Sequence, residues 1–197
     1  MIQALEEAVK VWNAPRDMAT MWEQSEIKQR HEKMITDWVD KFDPDIVADL
    51  GCGVGRYIDL LTPNLIEYYG YDGSSEMLDI AYHFKSNPKK IHLSIADIFN
   101  FSSDRNYDAV IMIDVAQHQN DPVGAILRMM DLWNAKRYFV SLIVGDFRED
   151  LFASTVVPFT ELLNITDVHT IKRMYTERYG VERFAWMLVE LTRGLSK

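Results

Sequence analysis

The stretch DIVADLGCGVGRYIDLL (residues 45–61) passes from a β-branched apolar run, IVADL, to three glycines at alternate positions, Gly51, Gly53 and Gly55, and then to a helical pattern. Glycine reaches positive φ and lets a backbone approach a ligand closely. A strand, a glycine-rich turn and a helix start in that order predict a ligand held at the carboxyl end of a strand in an α/β sheet. The dinucleotide fingerprint G-x-G-x-x-G needs a third glycine which, counted from Gly51 and Gly53, falls at position 56. Arg56 stands there instead, and what the chain carries is an acid-led D-x-G-x-G-x-G beginning at Asp49.

Outward from this turn, apolar strand patterns alternate with helical ones. IEYYGYD (66–72) reads as a second strand and SSEMLDIAYHF (74–84) as a helix opened by a serine cap. IHLSIAD (91–97) reads as a third strand, YDAVIMID (107–114) as a fourth, DPVGAILRMMDLW (121–133) as a helix with proline in its first turn, and YFVSLIVGD (138–146) as a fifth strand. Such alternation predicts βαβ units and a parallel sheet covered on both faces. Toward the carboxyl end, HTIKRMYTERY (169–179) and RFAWMLVEL (183–191) are separated by too little chain for a parallel crossover, so an antiparallel hairpin is expected. RFAWMLVEL is apolar on both parities, as an internal strand would be, and HTIKRMYTERY is charged on both, as an edge would be. Trp186 should then be buried and Lys172 exposed. The expected fold is a doubly wound, mostly parallel seven-stranded sheet of order 3-2-1-4-5-7-6. Residues 1–42 read as helix broken at Asn13-Ala14-Pro15, rich in Trp12, Met18, Met21 and Trp22.

The chain has 197 residues, 48% of them apolar, which suits one domain with a full core over residues 1–197. With 30 acidic against 21 basic residues the net charge is −9, which opposes a nucleic-acid backbone. The lone Cys52 excludes an internal disulfide framework and a cysteine-based metal site. The first residues, MIQALEEAVKVW, mix acids into their apolar pattern and lack a secretory core, and no apolar run reaches membrane-spanning length. A cytoplasmic protein is expected, with no metal, no membrane and no nucleic acid.

The D-x-G-x-G-x-G motif resembles the first motif of the class I S-adenosylmethionine-dependent methyltransferases, and the resemblance extends to each later strand end over residues 45–145. It implies a Rossmann-like core with S-adenosylmethionine at Asp49, Gly51, Cys52, Gly53 and Gly55. Asp72, in GYDGSSEML with Gly73 and Met77, lies about 20 residues beyond the glycines, where an acid can accept both ribose hydroxyls. Asp97 corresponds to the acid that takes the adenine amine, and Ile98 to the residue whose backbone amide meets a ring nitrogen. In IMIDVAQHQ, Asp114 and Val115 match the segment that reaches the methionine part, and His118 matches a histidine that points toward the acceptor. Arg30 stands at a spacing at which some relatives hold the cofactor's carboxylate. The Asn/Asp-Pro-Pro-Tyr sequence of exocyclic-amine methylation is absent, which disfavours DNA, and LWNAKRYFV replaces the family's usual glycine-rich turn before the fifth strand.

A sulfonium methyl is already activated, so the protein's main task is to align the acceptor, and a base is needed only for an acceptor that holds its proton. His118 is the candidate for that role, because a histidine side chain can accept a proton near neutral pH; its alternative is a histidine that caps the next helix or fills a polar gap. The N-terminal helices either fold over the cofactor as a lid or pack on the sheet, and GDFREDLFASTVVPF (145–159) forms another wall. The reading is a methyltransferase for an O, N or carboxylate acceptor on a small molecule. Its alternatives are a catalytically silent cofactor-binding subunit acting through a partner protein and, behind that, an NAD-dependent oxidoreductase. The oligomeric state is left open.

Overall fold

Each element follows from a local preference that its neighbours complete. A computed structural model describes residues 26–63, 65–83, 90–145, 149–151, 154–162, 165, 169–178 and 184–193. The residues of the expected lid that precede Glu26 lie outside that set, as do the side chains of Arg30, Lys172 and Trp186. The chain divides into two compact units, residues 1–97 and 98–197.

The first unit opens with helix α1 (Glu26–Phe42). Ile35, Trp38 and Val39 are buried at helical spacing, and Lys33 and Asp37 pair across one turn on the solvent side at 2.8 Å. The helix stops where Asp43 takes a left-handed φ of 50° and donates its amide to the Val39 carbonyl, just before Pro44. Strands β1 (Ile46–Leu50), β2 (Glu67–Asp72) and β3 (Ile91–Ile95) pair in parallel in the order β3-β2-β1, with Ala48 beside Tyr69 and Tyr69 beside His92. Between β1 and β2 the helix predicted after the glycines is a single turn, α2 (Ile58–Leu61), because Pro63 has no amide with which to continue the hydrogen-bond ladder. Helix α3 (Ser75–His83) has the predicted serine cap: Ser74 Oγ accepts the Met77 amide at 3.3 Å. The third strand ends at Ile95 rather than at Asp97.

In the second unit, β4 (Ser103–Met112) and β5 (Trp133–Gly145) pair in parallel around helix α4 (Pro122–Leu132). Asp121 caps that helix by accepting the Gly124 amide, with Pro122 at its first position as predicted. The fifth strand starts at Trp133, earlier than expected, so no loop separates it from α4. Tyr138 folds back to donate to the Trp133 carbonyl at 2.8 Å and to accept the Ala135 amide, which satisfies backbone at that abrupt start. The C-terminal hairpin is as predicted: β9 (Phe184–Arg193) pairs antiparallel with β5, and β8 (His169–Arg178) pairs only with β9 and forms an edge. The sheet order 3-2-1 is thus found in the first unit and 4-5-7-6 in the second, as β4-β5-β9-β8. The register slips by one residue between Ile171 and Arg173, a bulge of the kind that protects edges.

The segment read as a loop wall is a correction. Residues 149–158 contain two short strands, β6 (Glu149–Leu151) and β7 (Ser154–Pro158), which form an antiparallel pair. β7 also runs parallel to the end of β5, with Val144 beside Val157. The reason is local: Thr155, Val156 and Val157 are β-branched and buried, and β4 ends at Met112, its register reaching only Val140 and leaving that end of β5 to pair elsewhere.

Candidate functional site

In the first unit the turn after β1 is built on β2. The amides of Gly51 and Cys52 both donate to the Tyr71 carbonyl, at 2.7 and 3.1 Å, and the Gly55 amide closes back on Cys52. Gly51, Gly53 and Gly55 have φ of 76°, 52° and 80°, the left-handed region that other residues enter at a cost. Gly53 and Gly55 serve different needs. A Cβ on Gly55 would stand 2.6 Å from Ile58 Cδ1 and 3.0 Å from Ala81 Cβ, so this position seats the turn against helices α2 and α3. A Cβ on Gly53 would meet no atom within 4 Å, so its backbone borders open space.

Asp72 ties the turn to the strand end. One carboxylate oxygen accepts the Gly53 amide and the other the Ser74 amide, each at 2.8 Å. Burial pushes its carboxyl up from the ordinary range, while the amides of Ser74, Gly53 and Gly73 pull it down. Each oxygen keeps a lone pair for a further donor, which a pair of hydroxyls can supply. The Ala96 amide donates to the Asp72 carbonyl at 2.9 Å, which brings the exposed Asp97 to the same sheet end. Gly73 is exposed, and Met77 is buried in α3.

Asp49 faces inward. It is 2% exposed, and Tyr68 donates to its Oδ2 at 2.5 Å. Burial raises its carboxyl to about 7, with the Tyr68 hydroxyl opposing that rise, Asp72 adding to it and Arg56 opposing it. Cys52 is buried nearby, its thiol pushed up by burial and by Asp49 and Asp72. A Cβ on Gly70 would lie 2.9 Å from its sulfur. Arg56, which sits where a third fingerprint glycine would be, lies over the Tyr57 ring and reaches Glu32 of α1 at 3.8 Å.

In the second unit, Ile98 is buried and its carbonyl accepts the Trp133 indole N–H at 2.9 Å. The next residues are held by Arg128 of α4, which donates to the Phe99 carbonyl and to the Asn100 side chain. β4 ends at Met112 because Asp114, two residues on, adopts a left-handed φ of 58°. Its amide donates to Ser141 Oγ at 2.6 Å, and Ser141 on β5 is wholly buried. Val115 leads into a short 3-10 turn, Ala116–His118, in which the half-buried His118 donates its amide to the Val115 carbonyl. Sequence reasoning missed Tyr68, Ser141 and Gln117. A signal existed for Ser141, a small hydroxyl set among the apolar residues of the run FVSLIVG. Among the described residues there is no group of acidic, histidine or cysteine side chains that could hold a metal, and no helix long and apolar enough to cross a membrane.

Residues 48–139 match the family model described as "Methyltransferase domain". No curated protein matches the sequence significantly. Among solved structures, the chain is similar to magnesium protoporphyrin IX methyltransferase from Synechocystis PCC 6803 with bound SAH, at 18% identity and a TM-score of 0.68, covering 84% of this chain and 83% of that one. It is similar to the N-methyltransferase NodS from Bradyrhizobium japonicum WM9 in complex with S-adenosyl-L-homocysteine, at 13% identity and a TM-score of 0.70, covering 86% and 89%. It is also similar to an S-adenosylmethionine-dependent methyltransferase from Clostridium acetobutylicum ATCC 824, at 14% identity and a TM-score of 0.70, covering 91% and 98%. At such identities the likeness shows the fold, a Rossmann-like α/β sheet shared with S-adenosylmethionine-dependent methyltransferases, and residues 48–139 carry the match to a methyltransferase domain.

Proposed function

We propose that the protein binds S-adenosylmethionine and transfers its methyl group to an O, N or carboxylate acceptor on a small molecule. The observation that carries the reading is the Asp72 carboxylate, fixed by two backbone amides at 2.8 Å beside the open backbone of Gly53. A carboxylate oriented in this way is preorganised for vicinal hydroxyls, and a glycine turn without side chains admits a nucleoside close to the backbone. The relatives crystallised with SAH or SAM support the same cofactor.

The cofactor, when bound, supplies a methyl group activated by the neutral thioether that it leaves. Gly51, Cys52, Gly53 and Gly55 provide the turn, and Asp49 supports it from within the sheet. Asp72 with Gly73 takes the ribose, Met77 packs behind it, and Asp97 and the Ile98 amide take the adenine. Asp114 and Val115 serve the methionine part, with Arg30 for its carboxylate. His118 accepts a proton from the acceptor where one must be lost. Residues 1–42 act as a helical lid on one methyltransferase domain, and the setting is the cytoplasm.

Calorimetry tests the cofactor. S-adenosylhomocysteine should bind in the micromolar range, about −8 kcal/mol, and NAD should give no heat. NAD binding without a response to S-adenosylhomocysteine overturns the reading. Methyl-labelled cofactor mixed with cell metabolites should then place label in a small-molecule fraction; cofactor binding with no labelled product favours a silent subunit that works through a partner protein.

A further inference from the structure

The carboxamide oxygen of Gln117 is a buried acceptor that no donor among the described residues reaches. The side chain is 5% exposed. Its nitrogen faces Asp114 Oδ1 at 3.4 Å, and this carboxylate decides the orientation of the amide, because the reverse would set oxygen against oxygen. The oxygen therefore points away from Asp114. Relaxation is restricted, since Asp114 is held in a left-handed conformation by the buried Ser141 hydroxyl at 2.6 Å. A buried acceptor left without a donor is destabilising, and folded proteins keep few of them. Gln117 also lies beyond the carboxyl end of β4, where open α/β sheets bind their ligands.

We propose that Gln117 is a ligand-recognition residue whose Oε1 accepts a hydrogen bond from a hydroxyl, amine or ammonium group of a bound small molecule. This inference rests on the methyltransferase reading and deepens it: the ligand must present a polar hydrogen to this residue, and a fully apolar or purely hydrogen-bond-accepting molecule leaves the oxygen unsatisfied. The donor belongs either to the cofactor's ammonium group or to the methyl acceptor.

The test is Gln117→Met, which keeps the length of the side chain and removes the acceptor. The free variant should melt at or above the wild-type temperature, because an unsatisfied buried group has been removed. If the cofactor is the donor, the Kd for S-adenosylhomocysteine should rise about ten- to a hundredfold, the loss of one hydrogen bond to a buried group. If the acceptor is the donor, that Kd should stay unchanged while label transfer from methyl-labelled cofactor to cell metabolites falls by a similar factor. Neither effect appearing overturns the proposal. So does a marked loss of thermal stability in both Gln117→Met and Gln117→Leu, which would identify the amide as a structural group. Wild-type protein that binds no S-adenosylhomocysteine is a different result, and it marks failure of the methyltransferase reading.

Discussion

Tyr68 donates its phenolic hydrogen to Asp49 at 2.5 Å, and the two residues are 0% and 2% exposed, so the first acid of the glycine motif is engaged by the protein itself. The carboxyl is raised to about 7 by burial, against 3.8 for the free group. Between about pH 4 and pH 7 the folded protein keeps a proton that the unfolded chain has released. Stability should therefore fall as pH rises through that window and level off above it, by on the order of 2–4 kcal/mol in total for this group. Asp49→Asn should flatten the decline. Urea unfolding of both proteins at pH 5 and pH 8 measures it, and an equal decline in the variant rejects the assignment.

Asp72 joins the glycine turn to the end of β2, where the proposed function places the ribose. Asp72→Ala should weaken S-adenosylhomocysteine binding by about 1.5–3 kcal/mol, because it removes a charged acceptor and frees the Gly53 and Ser74 amides. Calorimetry at constant pH reads the loss. An unchanged Kd places Asp72 outside the site.

The two inner glycines should separate in their effects. Gly55→Ala combines a left-handed φ of 80° with a 2.6 Å approach to Ile58, so it should destabilise the fold by about 2–4 kcal/mol. Gly53→Ala has the left-handed penalty alone, about 1–2 kcal/mol, but it places a methyl in the open space and should lose more affinity for S-adenosylhomocysteine than stability. Thermal unfolding and calorimetry on both variants distinguish packing from binding.

Ser141→Ala removes the hydroxyl that holds the Asp114 amide and should cost about 1–3 kcal/mol in denaturant unfolding. Loss of ligand affinity in excess of that due to unfolding would show that the left-handed Asp114 is needed for binding.

His118→Ala should leave S-adenosylhomocysteine affinity nearly intact and lower label transfer by about 10²–10⁴-fold if the histidine is a general base. A structural histidine would instead lower the melting temperature and leave the rate per folded molecule near normal.

The glycine turn was legible because positive φ at alternate positions is a demand that glycine meets at little cost, and an acid two residues ahead marked it further. The C-terminal hairpin was legible from connection length: three residues between two long apolar or charged runs admit only an antiparallel pair. The contacts that steady these parts were not legible. Tyr68 and Asp49 are 19 residues apart and Asp114 and Ser141 are 27 apart, so each pair depends on strand register, which local patterns do not specify. The β6–β7 hairpin was missed because its strands are short and the first is charged.

β9 covers one edge of β5 along its whole apolar stretch, from Tyr138 beside Leu191 to Gly145 beside Phe184. During synthesis that edge therefore has no antiparallel partner until residues 184–193 have left the ribosome. Tyr138, Phe139, Val140 and Leu142 would meanwhile be presented by a strand open to other chains. A stop codon shortly before Phe184 should thus yield aggregated protein rather than a shorter soluble one, and nascent chains of intermediate length should be the ones that recruit chaperones.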